Sequence, residues 1–137
     1  MTDTAGRRVL LADTHHGLSE GIRSLLETAF DSVFMVSDEH SLLEGAQRLR
    51  PPLIIIDLAL AAGDVHGLVR RVLARSPESK VIVLTVHHEP SVADTALDAG
   101  VHGVVLTRSI ATDLLVAVWE VLAGQRYISP AIGCTKK

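Results

Sequence analysis

Leu53-Ile54-Ile55-Ile56-Asp57 is four consecutive aliphatic residues ended by a carboxylate. A strand that is apolar on both faces belongs in a parallel sheet covered by helices on either side, because a sheet with one wet face would alternate. Working outward, the same short, solid runs recur at Val9 to Ala12, Val33 to Val36, Val81 to Leu84 and Val104 to Leu106. They predict five buried strands. Between them lie stretches at helical spacing, the clearest being Leu18, Ile22, Leu25, Leu26 and Ala29, and later Leu114, Leu115, Val118, Val121 and Leu122. Shorter ones run over about Ser41 to Leu49, Leu68 to Leu73 and Ser91 to Ala99. Pro51-Pro52 stops the second helix, Pro90 suits a first helical turn, and Gly100 and Gly124 stand where C-caps are expected. The order βαβαβαβαβα with right-handed crossovers gives an α/β, flavodoxin-like doubly wound parallel sheet, strand order 2-1-3-4-5. Such a sheet places its site beyond the carboxyl ends of the first and third strands.

Composition narrows the function. The chain has 137 residues, 47% hydrophobic and 21% charged, with a net charge of -3. That length buries roughly two thirds of the unfolded surface, so one domain holds its core without a disulfide or structural metal. Basic and acidic residues are dispersed, and the four aromatics (Phe30, Phe34, Trp119, Tyr127) leave little to stack on bases. Direct nucleic-acid binding by this chain is not expected. The single Cys134 has no intrachain partner. Thr2 to Arg8 is polar and does not open a secretory signal, and no run approaches the roughly 18 apolar residues of a membrane span. A cytoplasmic location is expected.

The first strand runs into Asp13 and the third into Asp57, so two carboxylates meet at the switch point. Either one is explained singly as a cap for the following turn or helix. Together they repel unless a cation or a proton compensates, which points to a divalent-metal or acyl-phosphate site. The fourth strand ends at Thr85, and the fifth is followed by Thr107 and Arg108.

The segments Val9-Leu10-Leu11-Ala12-Asp13, Ile54-Ile55-Ile56-Asp57-Leu58, Val81-Ile82-Val83-Leu84-Thr85 and Asp98-Ala99-Gly100-Val101-His102-Gly103-Val104-Val105-Leu106 resemble the CheY-like receiver domain of bacterial response regulators. The closing Leu122-Ala123-Gly124-Gln125-Arg126-Tyr127-Ile128-Ser129-Pro130 is similar to the end of receivers in NarL/LuxR-type transcriptional regulators. The resemblance covers residues 7 to about 132. It implies that Asp57 is the phosphoacceptor for a sensor histidine kinase, with Thr85 as the hydroxyl that bonds the phosphoryl group. It also implies a Mg²⁺ held by acids after the first strand, by Asp57 and by the backbone carbonyl of Ala59.

Four positions depart from that pattern. Thr14 stands where the family has a second acid, Thr107 where it has a Lys, Val104 where an aromatic swings inward, and Ala61 where a Pro follows the phosphoacceptor. Arg108 is not expected to replace the Lys, because successive strand side chains point to opposite faces. The family's three acids and one Lys sum to -2, as do Asp13 and Asp57 together, so the resting charge is ordinary. Phosphorylation adds roughly -1.5 to -2 more at pH 7. The expectation is therefore an atypical receiver that holds Mg²⁺ and a phosphoryl group weakly or not at all. The alternative is a phosphorylation-independent interaction module, a pseudo-receiver controlled by a ligand, pH or a metal.

Five of the seven histidines, His15, His16, His66, His87 and His88, fall near the same rim. Loops tolerate polar residues, and the sharper reading is a pH-sensitive or Zn²⁺-binding mouth. Enzymatic activity is not expected: there is no Gly-rich phosphate loop, no Gly-x-Ser-x-Gly elbow and no Walker pattern. A flavin site lacks aromatics. A homodimer is expected, through the fourth helix, fifth strand and fifth helix or through the first and fifth helices, with Trp119 as the large aromatic of the fifth. Residues 1–6 read as a tail, 7–130 as the receiver, and 131–137 as a tail or the start of a linker, too short for a helix-turn-helix output domain. DNA contact is then expected from residues outside this chain.

Overall fold

The computed structural model describes residues 7–14 and 16–132, and of 16–19 the backbone only. The expectations for residues 1–6, His15, the side chain of His16 and Cys134 lie outside what it describes. The elements are β1 (Arg8–Ala12), α1 (His16–Leu26), β2 (Ser32–Val36), α2 (Glu39–Leu49), β3 (Leu53–Asp57), α3 (Val65–Arg75), β4 (Lys80–Thr85), α4 (Pro90–Ala99), β5 (Gly103–Leu106), α5 (Ile110–Leu122) and β6 (Tyr127–Ile128). The sheet runs β2-β1-β3-β4-β5-β6 with every pair parallel. Five strands lie in the expected order and a sixth closes the far edge.

Strand alternation sends neighbouring side chains into two cores. Leu10, Ile54, Ile56, Val81, Val83 and Val104 pack with α2, α3 and α4, while Val9, Leu11, Ile55, Ile82, Leu84 and Val105 pack with α1 and α5. This is why the central runs carry no polar face. The run Val33 to Val36 is a correction to the expectation of five buried strands. β2 pairs with β1 only, and Phe34 and Met35 are 39% and 36% exposed. An edge strand has no neighbour on its outer side to cover them.

Helix ends follow the sequence punctuation. Asp38 caps α2 by accepting the Ser41 N–H at 2.7 Å, which holds its carboxyl below the usual range. Pro90 opens α4 and Gly100 closes it at φ 117°, where a Cβ would sit 2.9 Å from Leu73 Cδ1. Gly124, at φ 93°, follows the end of α5. Among the described residues no helix is long and apolar enough to cross a membrane.

β6 gave no periodic signal because it is two residues long. It is held by backbone bonds from Tyr127 N–H to the His102 carbonyl (3.1 Å) and from Ser129 N–H to the Val104 carbonyl (2.9 Å). His102 is the junction. Its N–H donates to the Val81 carbonyl at 2.8 Å, and its Nδ1 accepts the Val81 N–H at 3.0 Å, so the imidazole completes a ladder that β5 has not yet reached.

Nδ1 accepts only while unprotonated, and burial first, then Lys80 and Arg126, push the His102 pKa below 6.5. A depressed folded pKa means that this contribution is full above about pH 6.5 and lost as pH falls through the folded value. Urea unfolding should show that His102→Ala costs about 1 kcal/mol at neutral pH. The loss of stability on acidification below about pH 6.5 should be shallower than in the natural chain. Equal slopes would contradict the assignment.

Candidate functional site

Ala12 pairs with Ile56, so the next residues, Asp13 and Asp57, stand side by side where β1 and β3 end. Both are buried, at 5% and 8% exposure. Asp57 Oδ1 accepts the Ala59 N–H at 3.0 Å and so caps the 3₁₀ turn Leu58–Ala61. The capping explanation of this aspartate is thus realised together with its placement at the switch point. Thr85 ends β4 at 2% exposure, and its Oγ1 accepts the His87 N–H at 3.0 Å. Thr107 opens a 3₁₀ turn, Thr107–Ser109, directly after β5.

Asp57, Thr85 and Thr107 line one cavity of about 770 Å³, walled by Leu58, Val65, Val86 and Val92, with His87 on its border. Among the described residues that line it there is no Lys or Arg. Arg108 is exposed and does not line it, but the expected reason needs correcting: the two residues sit in a turn, not on a strand. Asp13 is buried beside the cavity without lining it, and Thr14 is exposed. Val104 and Ala61 are buried in the α2–α3–α4 core and do not reach the cavity.

The histidine rim is only partly assembled. His87 lines the cavity and approaches Glu89 at 3.7 Å, whereas His66 lies in the first turn of α3 and faces Asp98 of α4 at 3.8 Å. His88 is half-buried and does not line the cavity. Among the described residues no group of three or more His, Cys, Asp or Glu is gathered as a metal site.

Two buried carboxylates and a nearby backbone carbonyl are hard oxygen donors, and Mg²⁺ commonly takes one or two carboxylates and keeps several waters. Asp13, Asp57 and Ala59 therefore fit it, with fewer charged ligands than a second acid at position 14 would give.

Sequence reading missed what lies behind β5. Ser129, 1% exposed, accepts the Leu106 N–H at 2.9 Å and donates to Asp113 Oδ2 at 2.7 Å. One hydroxyl thus ties the strand leading into Thr107 to α5 and to the segment following β6. Tyr127 lies next to it, and burial and Asp113 push its phenol pKa up. On α5 Trp119 is a half-exposed flank residue, with the Arg7 guanidinium 5.8 Å from its ring centroid. Ser129→Ala leaves Leu106 N–H and Asp113 each short of a partner and should cost about 1–3 kcal/mol in chemical denaturation. The amide resonance of Thr107 should shift in the same variant, and an unmoved Thr107 would show that the link does not reach the site.

The sequence matches the response regulator receiver domain family over residues 9–119. It is 33% identical over 129 residues to the response regulator GacA of Pseudomonas protegens, covering 91% of this chain and 60% of that protein. The structure is similar to a LuxR-family two-component response regulator from Aurantimonas sp. SI85-9A1, with TM-score 0.83, 26% identity, and 92% and 91% of the two chains covered. It is also similar to RcsB of Salmonella enterica serovar Typhimurium bound to promoter P1flhDC in the presence of the phosphomimetic BeF3-, with TM-score 0.78, 27% identity, and 93% and 65% covered. The chain spans 54% to 60% of the length of the curated relatives it matches. With this fold and these strand-end residues, the chain belongs to the response regulator receiver domain family, and its relatives are LuxR/NarL-type regulators.

Proposed function

We propose that this receiver is the signal-input domain of a cytoplasmic transcription regulator and that its phosphoryl site is incomplete. Asp57 is the phosphoacceptor, a sensor histidine kinase the donor, and Thr85 the hydroxyl that bonds the transferred group. A carboxylate oxygen of Asp57 attacks phosphorus, and the bond from phosphorus to the donor's imidazole nitrogen breaks as the acyl phosphate forms. Asp13, Asp57 and the carbonyl of Ala59 are the groups that would hold Mg²⁺, which offsets charge on the phosphoryl oxygens.

The observation that carries this reading is the cavity lining, where Thr107 stands and, among the described residues, no Lys or Arg is present. Phosphorylation brings roughly -1.5 to -2 of charge onto Asp57. A missing charged hydrogen bond is worth about 1.5–3 kcal/mol, or roughly a tenfold to hundredfold loss in equilibrium. Thr14 removes a further acidic ligand. The output follows from changed association: a homodimer, and DNA contact made outside these residues. The solved RcsB bound to a promoter in the presence of a phosphomimetic, of which this chain covers 65%, supports the DNA contact.

Incubation with acetyl phosphate and Mg²⁺, followed by intact mass, should give substoichiometric, short-lived modification that Asp57→Asn abolishes. The double variant Thr14→Asp, Thr107→Lys should raise occupancy at least about tenfold. Stoichiometric, lasting modification of Asp57 in the natural chain would contradict the proposal.

A further inference from the structure

We propose that His102 is a proton-operated clasp: a proton on its ring frees the start of β6 and the turn that joins it to α5, while the end of β6 stays held. The inference does not depend on whether Asp57 accepts a phosphoryl group.

The place of His102 in the sheet is the first argument. It stands one position before β5 and joins three chains. Its N–H donates to the Val81 carbonyl at 2.8 Å and its Nδ1 accepts the Val81 N–H at 3.0 Å, so backbone and ring together hold β4. On its other side the His102 carbonyl accepts the Tyr127 N–H at 3.1 Å, the bond that starts β6. A strand of two residues has few such bonds to lose. Val81 is fully buried, so its N–H has no water to turn to when the ring lets go. The imidazole is only half-buried and solvent protons reach it.

Charge is the second argument. Lys80 precedes Val81 on β4, Arg126 precedes Tyr127 ahead of β6, and both act on the His102 ring. The two cations thus stand beside the two residues that His102 ties together. Of the acids on the neighbouring helices, Asp98 of α4 faces His66 of α3 at 3.8 Å, and Asp113 and Glu120 of α5 bear on Tyr127. A proton on Nδ1 would set a second donor against the Val81 N–H and repel Lys80 and Arg126. Both effects part the chains. Burial first, then the two cations, keep the ring unprotonated at neutral pH, so the clasp is closed there and opens on acidification.

The third argument is what limits the movement. Ser129 N–H donates to the Val104 carbonyl at 2.9 Å, and its hydroxyl joins Leu106 N–H to Asp113. These bonds do not involve His102, so the end of β6 keeps its place. The turn between α5 and β6 is exposed from Ala123 to Arg126 and passes through Gly124 at φ 93°. No buried side chain of that turn holds it when the Tyr127 bond is lost.

The test uses the full chain, with amide spectra, His102 ring ¹⁵N shifts and amide protection factors recorded from about pH 7.5 to about pH 5, a range that brackets the ordinary imidazole pKa. Val81 and Tyr127 should titrate with the midpoint of the ring. Protection at Tyr127 should fall at least about fivefold across that midpoint while Ser129 stays protected. His102→Asn, whose Oδ1 can accept the Val81 N–H at any pH, should abolish the titration at Tyr127 and keep its protection. Arg126→Gln, at an exposed position, should raise the ring's midpoint and shrink the loss at Tyr127, and it serves if the first variant fails to fold. An unmoved Tyr127, the same titration in His102→Asn, or a midpoint no higher in Arg126→Gln would overturn the proposal. So would joint loss of protection at Tyr127 and Ser129, which would mean that the whole edge opens rather than the clasp.

Discussion

Two carboxylates buried at adjacent strand ends are the constraint that the rest of this molecule serves. A parallel sheet covered on both faces sends its polar chemistry to the carboxyl ends of its strands, since everywhere else the strands are apolar. Asp13 and Asp57 stand there within the buried part of the structure, and like charges in low dielectric must be offset by hydrogen bonds, a cation or a proton. The Ala59 N–H supplies part of this for Asp57. The lining next to them holds the Thr107 hydroxyl and, among the described residues, no Lys or Arg. On the proposed function, the added charge of a phosphoryl group is what this lining would have to offset.

The far edge of the sheet extends this logic. β5 leads into Thr107, and its last amide is held by Ser129, whose hydroxyl also donates to Asp113 on α5. His102 fixes the start of the same strand to β4 through both its backbone and its ring. The strand next to the cavity is therefore pinned at both ends by side-chain hydrogen bonds, and the segment after β6 leaves the sheet from one of those pins. Moving β5 away from that exit would leave these buried groups unpaired, which is costly.

Much of this was legible in the sequence for physical reasons. Strands such as Leu53–Asp57 are solidly apolar because both faces are covered, and Pro90 and Gly100 mark the ends of α4 through their own backbone geometry. Asp57, Thr85 and Thr107 were readable as strand-end residues, and they do line one cavity. Three features were not legible. Solid hydrophobicity does not say whether a strand is central or at the edge, so the exposure of Phe34 and Met35 was missed. A two-residue strand has no period to detect, which hid β6. The roles of Ser129 and His102 depend on partners 23 and 21 residues away in the chain, and the aliphatic wall of the cavity looks in sequence like any other loop and helix start.

The most direct measurement of whether the site lacks compensating charge is a ¹⁹F NMR titration of Mg²⁺ and BeF3-, comparing the natural chain with the Thr14→Asp, Thr107→Lys variant. The account predicts that the natural chain needs at least about tenfold more BeF3- for half-saturation than the variant, the worth of one charged hydrogen bond. Half-saturation of the natural chain at the same concentration as the variant would contradict it.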